Sequence, residues 1–344
     1  MRNTLQYNVE TSEDSELLTL RQLSARLGAN PLLVQASNSN TSIKVRGQLW
    51  IKASGTPLAN AERDDSLVAL NLNAVRRNVA AGEEIVSTEA IDGLRPSIET
   101  PLHAILPHPV VVHVHSISAI TWAVRRDAEP RLRERLAGLN WRWIPYLPSG
   151  IPLARAIERA LAAAPKSDVF VLGNHGLVVA ASDCDSAQAL LDQVERRLAI
   201  VPRSVALPET VLLQEIGRSS GLQLPDEPSL HALATDPAAA FLKGGVLFPC
   251  QAIFLGKELP ILPASLAVQK LASGRHEPRL KCPALVVEYA GVLLSPDLTT
   301  SARATLVAMA EVVRRTGLFS ELRYLTDLEL SELTLSAHAY KAYC

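Results

Sequence analysis

The sequence predicts an α/β fold, because helix-like and strand-like patterns alternate along residues 15–200. Residues 15–28 place their leucines near helical spacing, which predicts a helix that ends at Gly28. Residues 110–115 read VVVHVH, and such a run of β-branched side chains is typical of a buried strand. Residues 168–180 read DVFVLGNHGLVVA, which predicts a strand, a tight turn and a second strand.

The remaining segments continue this pattern in chain order. SIKV and QLWIKAS are separated by Arg46 and Gly47, and together they predict a β-hairpin. Residues 59–80 favour either one helix or a strand followed by a helix, since their local pattern fits both. Further helices are predicted over TPLHAIL, residues 152–164 and residues 185–199, the last with Asp185 or Ser186 as its N-cap.

The length of 344 residues favours either roughly two domains or one domain with a long extension, because about 150 residues per domain is typical. The segment 203–228 is rich in Pro, Ser and Glu. This composition predicts a linker between a main domain at residues 15–202 and an α/β extension at residues 229–344. Residues 1–14 are polar and acidic, and we expect them to form a flexible tail.

The C-terminal part contains a weak echo of the main domain. A shift of 115 residues lays residues 169–198 over residues 284–313 and places Gly176 on Gly291. Both copies have the pattern strand, glycine, strand, helix, but His175 becomes Ala290 in the second copy. The echo indicates either a reused unit that has lost a ligand or a chance similarity between two common β–turn–β–α units.

The charge balance of the chain narrows its expected partners. Lys and Arg total 34 and Asp and Glu total 35, whereas a general nucleic-acid binder needs a basic excess. No apolar run reaches the roughly 18 residues of a membrane span, and the polar N-terminus is unlike a signal peptide. The four cysteines form no CxxC pair, which argues against a disulfide framework or a zinc knuckle. We therefore expect a cytoplasmic protein that binds neither nucleic acid nor membrane.

The histidines give the clearest sign of chemistry. Four of the eight lie between His103 and His115, and two of these form the pattern His113-Val114-His115. Residues i and i+2 of a strand point to the same face, so the two imidazoles are preset to chelate one metal ion. The alternatives are two core histidines bonded to the backbone or two exposed histidines.

Two further residues extend this candidate site. His175 lies in Asn174-His175-Gly176, between two apolar strands, where it either adds a third metal ligand or belongs to an ordinary polar turn. Three histidines would leave one coordination position open, as catalytic zinc sites do. Glu99 lies at a loop-to-helix junction and is either a capping carboxylate or an acid–base group beside a metal-bound substrate.

Two loops are candidates for anion binding. The first is the run SNSNTS, which contains Asn40, and the second is KASGT, which contains Lys52, Ser54 and Gly55. Both combine small polar side chains with accessible backbone N–H groups, and Lys52 adds a positive charge. Loops of this composition are also common as simple turns.

Taken in order, these motifs resemble the class II aldolase/adducin family. They are the polar run at Asn40, the KASG sequence, the PSIE sequence ending at Glu99, the HxH pair and the NHG turn. The resemblance extends over residues 15–200, and SIETPLHAILPHPVVVHVHS is similar to a bacterial branch near the aldolase part of fused rhamnulose-phosphate aldolase/dehydrogenase proteins. Residues 221–344 are similar to the C-terminal extension of that branch.

The resemblance implies a fold, a cofactor and an assembly. The fold is a three-layer α/β/α sandwich with a central, mostly antiparallel sheet, followed by the α/β extension. The cofactor is a divalent metal ion, most often Zn²⁺, held by His113, His115 and His175. The assembly is a homotetramer with active sites between subunits.

The resemblance also implies an activity, in which Glu99 acts as the acid/base of a metal-dependent aldolase. Such a lyase cleaves a small ketose or sugar-acid derivative, expected to be phosphorylated, by retro-aldol chemistry through a metal-stabilised enediolate. The loops at Asn40, Ser54-Gly55 and Ser97 would grip the substrate phosphate. The alternatives are 4-epimerisation, decarboxylation or dehydration at the same site, or a non-catalytic scaffold like adducin.

Some segments depart from the family pattern. The sequence ASNS at residues 36–39 replaces a Gly-rich run. In the C-terminal part, PCQ at residues 249–251 replaces Pro-Asp-His, and LSAH at residues 335–338 replaces a Trp-Asp-Ala-Glu-like stretch. If the C-terminal positions contact substrate, these departures predict a different substrate or a reduced activity.

Overall fold

The computed structural model of the protein describes residues 3–64, 66–83, 93–235, 241–263, 265–266, 282–317 and 320–333. The fold divides into two compact units, one containing Met1–Ala123 and Glu129–Ala199 and the other containing Val124–Ala128 and Ile200–His338. The candidate catalytic and metal-binding residues all lie in the first unit. Within the described ranges, no helix combines the length and apolar character needed to cross a membrane.

A seven-stranded sheet forms the centre of the first unit. Its strands are β1 (Asn40–Val45), β2 (Gln48–Lys52), β3 (Leu67–Asn71), β4 (Val110–Val114), β5 (Trp141–Ile144), β6 (Val169–Leu172) and β7 (Gly176–Ala181). Their order is β3-β2-β1-β4-β7-β6-β5. All neighbouring strands are antiparallel except β5 and β6, which are parallel. The mostly antiparallel sheet expected from the sequence is confirmed.

Helices cover both faces of this sheet. They are α1 (Asn3–Gly28), α2 (Leu72–Ala81), α3 (Thr100–Ile105), α4 (Ile117–Ala123), α5 (Ala128–Arg135), α6 (Ile151–Ala163) and α7 (Cys184–Leu198). Helices α2, α3 and α6 share a hydrophobic core with one face, while α1, α4 and α7 pack on the other. Strand β4 is therefore buried at all of its positions, which explains why four of its five residues are valine. The layered α/β/α arrangement is confirmed.

The structure settles the segment whose pattern fitted two interpretations. Residues 59–80 contain strand β3 followed directly by helix α2. The side chain of Asn71 accepts a hydrogen bond from the Ala74 backbone N–H at 2.9 Å, so this residue ends the strand and caps the helix at once. The predicted hairpin is also present, and both Arg46 and Gly47 at its turn have positive φ, as type I′ turns require.

Two helix starts differ from the expectations. Helix α1 begins at Asn3, inside the predicted tail of residues 1–14, because residues 3–14 contain neither proline nor glycine to interrupt a helix. The N-cap of α7 is Asp183 rather than Asp185 or Ser186. Its extended backbone lets the carboxylate accept a hydrogen bond from the Ser186 N–H at 2.8 Å, while Asp185 lies in the first turn.

The second unit is a smaller α/β structure. It contains α8 (Thr210–Ser220), α9 (Pro249–Leu255), β8 (Ile261–Leu262), β9 (Ala284–Val287), β10 (Gly291–Leu294) and α10 (Thr300–Arg315). The three strands form one sheet in the order β10-β9-β8. Leu213 and Ile216 of α8 pack in a core with Leu285 and Leu293. The segment 203–228, predicted as a linker, therefore contributes a helix to the core of this unit.

The internal echo is present in the backbone. Strand β9 begins 115 residues after β6, and β10 begins 115 residues after β7. The turns between them match as well, since Asn174 and Tyr289 occupy corresponding positions with φ of 53° and 63°. The same chain geometry thus presents His175 in the first unit and Ala290 in the second.

Lys44 on β1 provides a test of how burial affects stability. Its ammonium donates a hydrogen bond to the His108 carbonyl, while burial, and then the nearby charge of Arg76, lower its pKa from 10.5 to about 7. Between pH 7 and pH 10.5 the unfolded chain therefore binds more protons at Lys44 than the folded protein does. The destabilisation caused by the buried charge is complete below pH 7 and decreases as the pH rises. We expect Lys44→Met to raise the melting temperature more at pH 6 than at pH 9. Exposed Lys166→Met is the control, and an equal gain at both pH values would contradict the assignment.

Candidate metal centre

Three histidines of the first unit form one buried cluster. His113 is on central strand β4 and His115 directly follows it, so both rings lie at the same end of the sheet. His175 lies in the turn between β6 and β7, where Asn174 adopts a left-handed conformation with φ of 53°. The antiparallel pairing of β4 with β7 brings this turn beside the HxH pair. The structure thus brings together the three histidines that the sequence analysis selected.

The geometry of the cluster is close to threefold. The ring centroids are 4.9–5.0 Å apart in all three pairs, and the ring planes are inclined by 69–72°. One nitrogen from each ring lies within 4.8 Å of the other two. Three imidazoles that converge in this way can occupy one face of a tetrahedral ion and leave a position open for substrate.

Hydrogen bonding fixes the form of His113. Its Nδ1 lies 3.2 Å from the Leu177 carbonyl oxygen, which only accepts, so Nδ1 carries the proton and donates. The lone pair is then on Nε2, which is buried and has no hydrogen-bond partner among the described residues. A backbone partner that orients a histidine in this way is typical of metal ligands. The unpartnered Nε2 of His113 and the three converging imidazoles form a set of donor atoms that fits a divalent ion.

Burial also favours the neutral, ligand-competent state of all three rings. Desolvation, followed by the neighbouring His175 ring, lowers the pKa of His113 well below its ordinary 6.5. Desolvation, followed by His113, lowers the pKa of His115 well below this value, and desolvation lowers the pKa of His175. Each ring therefore offers a lone pair at neutral pH.

Glu99 is the acidic residue beside this cluster. It precedes α3 at the N-cap position, but its carboxylate does not cap the helix and instead turns into the site. Its Oε2 lies 3.3 Å from His113 Nε2, and its Oε1 lies 3.5 Å from His175 Nε2. Oε2 accepts a hydrogen bond from the Asn40 amide at 2.8 Å, and Oε1 accepts one from the Ser149 hydroxyl at 3.2 Å. The capping interpretation of Glu99 is wrong for its side chain.

The residues of the predicted anion loops have different hydrogen-bond partners. Asn40 and Ser97 are hydrogen bonded to each other, and Asn40 also contacts Glu99. Lys52 is buried and donates to the Ser37 carbonyl at 2.7 Å, and its positive charge contributes to the lowered pKa of His115. Ser54 donates its backbone N–H to the Arg95 carbonyl, so its loop lies beside the segment that leads to Ser97.

Gly55 completes the second loop, where its φ of 78° fits a tight turn. Two residues near the cluster were missed as site residues. Ser149, before α6, contacts Glu99, and His103, one helical turn after Glu99, contacts Asn40. Their only sequence signals were a serine next to a predicted helix and membership of the histidine-rich stretch.

The C-terminal departures are only partly described. Gln251 lies in the first turn of α9, and its side-chain oxygen accepts a hydrogen bond from the Leu247 backbone N–H at 2.9 Å. It therefore has a local structural role in the second unit. The departure at residues 335–338 lies outside the described residues.

Gly176 is required by the packing of the cluster. A Cβ at this position would lie 2.5 Å from the Val114 carbonyl oxygen, between the two HxH ligands. We expect Gly176→Ala to lower the free energy of unfolding by about 1–3 kcal/mol and also to weaken metal binding, because β4 must shift. Denaturant unfolding and metal titration would measure both effects.

The control is Gly47→Ala, which meets no atom within 4 Å but has a φ of 77°. It should lose stability through backbone strain alone and bind metal like the parent protein. A Gly176→Ala variant with unchanged metal affinity would show that the strand does not transmit the clash to the ligands.

The chain is similar to several known proteins. Over 170 residues it is 32% identical to the uncharacterized oxidoreductase YuxG of Bacillus subtilis (strain 168), a match that covers 44% of this chain and 24% of that protein. The chain thus spans about a quarter of the length of this relative.

Solved structures are also similar. The N-terminal class II aldolase domain of a conserved protein from Thermoplasma acidophilum is 22% identical, with a TM-score of 0.43, and the match covers 52% of this chain and 90% of that one. The L-fuculose-1-phosphate aldolase of Thermus thermophilus is 16% identical, with a TM-score of 0.37, and the match covers 59% and 96%. The family model for the class II aldolase and adducin N-terminal domain matches residues 20–201, more than half of the chain. The chain therefore belongs to the class II aldolase and adducin family.

Proposed function

We propose that this protein is a metal-dependent lyase that cleaves a small ketose or sugar-acid derivative by retro-aldol chemistry. The observation that carries the proposal is the buried Glu99 carboxylate, which lies within 3.5 Å of two imidazoles in a cluster of three neutral histidines. The protein's membership of the class II aldolase and adducin family and its three clustered histidines support metal dependence. The proposal for the native ion is Zn²⁺, because three imidazoles and an open position are typical of catalytic zinc.

His113, His115 and His175 would hold the ion. When bound, the ion supplies Lewis acidity that stabilises negative charge on a substrate oxygen. In the cleavage direction, the hydroxyl next to the scissile bond gives its proton to the Glu99 carboxylate and becomes a carbonyl, and the bonding electron pair passes to the ketone fragment. Glu99 then delivers this proton to the carbon that received the pair and returns to its carboxylate form.

Two neighbouring side chains fix the position of the Glu99 carboxylate. Asn40 and Ser149 each donate one hydrogen bond to it, so its two oxygens have fixed orientations. The proposed phosphate grip is the pair of neighbouring loops that contain Lys52, Ser54 and Gly55 on one side and Ser97 on the other. We also propose that the protein is a cytoplasmic homotetramer that acts in carbohydrate metabolism. Its catalytic domain would comprise residues 15–202.

A substrate screen with product identification tests the function. The protein is purified without chelator, its metal content is measured, and Zn²⁺ or Mn²⁺ is added to separate samples. Phosphorylated and free ketoses and keto-acids are then incubated with each sample and analysed by mass spectrometry and NMR. An aldehyde and a ketone formed in equal amounts support the lyase. An epimer, released carbon dioxide or a dehydrated product would identify a different reaction at the same site. A protein that binds no divalent ion and gains no activity from added Zn²⁺ or Mn²⁺ would contradict the proposed metal-dependent enzyme.

A further inference from the structure

A chain of buried hydrogen bonds leads from β1 and α3 to Glu99. The Ser42 hydroxyl lies 2.7 Å from His103 Nδ1, and His103 Nε2 lies 2.5 Å from the Asn40 side-chain oxygen. The Asn40 amide nitrogen then lies 2.8 Å from Glu99 Oε2. All four residues are buried, and His103 is completely so.

Local geometry explains why these four residues meet. Glu99 and His103 are four residues apart at the start of α3, so they lie on one face of the helix. Asn40 and Ser42 are two residues apart on β1, so they lie on one face of the strand. A helical pair therefore faces a strand pair, and the Asn40 amide lies between the two helical side chains.

Only one assignment of protons satisfies every hydrogen bond in this series. Burial lowers the pKa of His103 to about 3, although the charge of Glu99 acts in the opposite direction, so the ring is neutral. The Asn40 oxygen can only accept, so His103 Nε2 carries the ring proton and donates it. His103 Nδ1 then accepts from the Ser42 hydroxyl.

The same constraint fixes the orientation of the Asn40 amide. If the amide were rotated by half a turn, its oxygen would face the Glu99 carboxylate at hydrogen-bond distance, and two acceptors would repel each other. In the observed orientation, its nitrogen donates to Glu99 Oε2 and to the Ser97 hydroxyl at 3.1 Å. Both amide hydrogens are therefore used within the protein.

We propose that His103 is a positioning residue which, through the Asn40 amide, holds the Glu99 carboxylate against the three-histidine cluster. This inference rests on the proposed function of Glu99. It also gives Asn40 a different task from the phosphate binding expected from the sequence, because the amide has no hydrogen left for a phosphate oxygen. Ser42 belongs to the same hydrogen-bonded series, since its hydroxyl can donate to His103 Nδ1 once the Asn40 oxygen has placed the ring proton on Nε2.

The first test is independent of activity. Histidine ¹⁵N NMR of the metal-free protein, with the His103 signal identified from its loss in His103→Gln, reads the ring tautomer. We expect the neutral Nε2–H form, retained in Ser42→Ala because the Asn40 oxygen still needs a donor. An Nδ1–H form or a charged ring in the parent protein would overturn the proposal, whichever reaction the enzyme catalyses.

The second test uses the metal-loaded enzyme and the substrate found in the screen. His103→Leu removes the donor to Asn40, whereas His103→Gln can place its amide nitrogen near the position of Nε2 and keep that donor. We expect His103→Leu to lose about 10- to 100-fold in kcat with KM within about twofold and metal content unchanged. His103→Gln should recover most of this loss. Equal losses in both variants, or an unchanged kcat in His103→Leu, would overturn the proposal.

Asn40→Asp keeps the test valid if His103→Leu does not fold. The new carboxylate accepts from His103 but faces Glu99 with a second negative charge. We expect a fall in kcat with little change in KM. A raised KM with unchanged kcat would instead identify Asn40 as a substrate ligand and overturn its positioning role.

Discussion

The His113→Ala variant is expected to lose its bound divalent ion and all measurable turnover. His113 offers a buried, unprotonated Nε2 at the centre of the cluster, and its other nitrogen is held by the Leu177 carbonyl. Loss of an outer partner of a metal ligand weakens metal binding or activity by about 10- to 100-fold, so loss of the ligand itself should exceed this range. Elemental analysis and competition with a chelator would measure the effect.

The matched control is His108→Ala, which removes an imidazole from the loop before the same strand. His108 lies outside the histidine cluster, so this variant should keep the parent metal content. Circular dichroism must show that His113→Ala is folded, because the Leu177 carbonyl loses its donor at a cost of about 1–3 kcal/mol. A folded His113→Ala variant with a full complement of metal would show that the ligand set is wrong.

The Glu99→Gln variant is expected to keep the ion but lose about 10²- to 10⁴-fold in kcat, the range for removal of a general acid–base group. Glutamine has nearly the same shape and can still accept a hydrogen bond from Asn40, which lies 2.8 Å from the present carboxylate. It cannot deliver or take up a proton at neutral pH, so the proton transfer to carbon is lost while substrate binding persists. Steady-state kinetics together with metal analysis would separate the two contributions.

Glu129→Gln serves as the control, since Glu129 pairs with Arg133 on the surface of α5 and its variant should have parent kinetics. Loss of metal in Glu99→Gln would make Glu99 a ligand as well as an acid–base group. If Glu99→Gln had the same kinetics as the parent protein, Glu99 would have no part in the mechanism.

Much of the first unit could be predicted because its signals are local. The run at residues 110–115 indicates a strand covered on both faces. The prediction that its two histidines share one face does not depend on where the surrounding helices are placed. Residues 59–80 fitted two interpretations because Asn71 ends a strand and caps a helix with no loop between them. The N-cap of α7 was misplaced because three nearby candidates, Asp183, Asp185 and Ser186, have suitable side chains, and only backbone geometry selects one.

The candidate site was predicted in its components but not in its connections. The motifs identified Glu99 and the three histidines, since each lies in a recognisable local pattern. The contact between Asn40 and Glu99 could not be predicted, because it depends on how β1 and α3 meet in the tertiary structure. The hydrogen bonds of His103 and Ser149 depend on the same kind of long-range packing, and the local sequence gives almost no signal for them.

The pairing of β4 with β7 has a consequence for how the protein matures. The ring of His113 is oriented by a residue 64 positions further along the chain, and His175 joins it only when these two central strands are paired. Contacts between such distant residues form slowly, since the loop between them must first be closed. We therefore expect a newly synthesised chain to acquire its ion after the sheet is complete, in contrast to zinc fingers, whose ion drives folding.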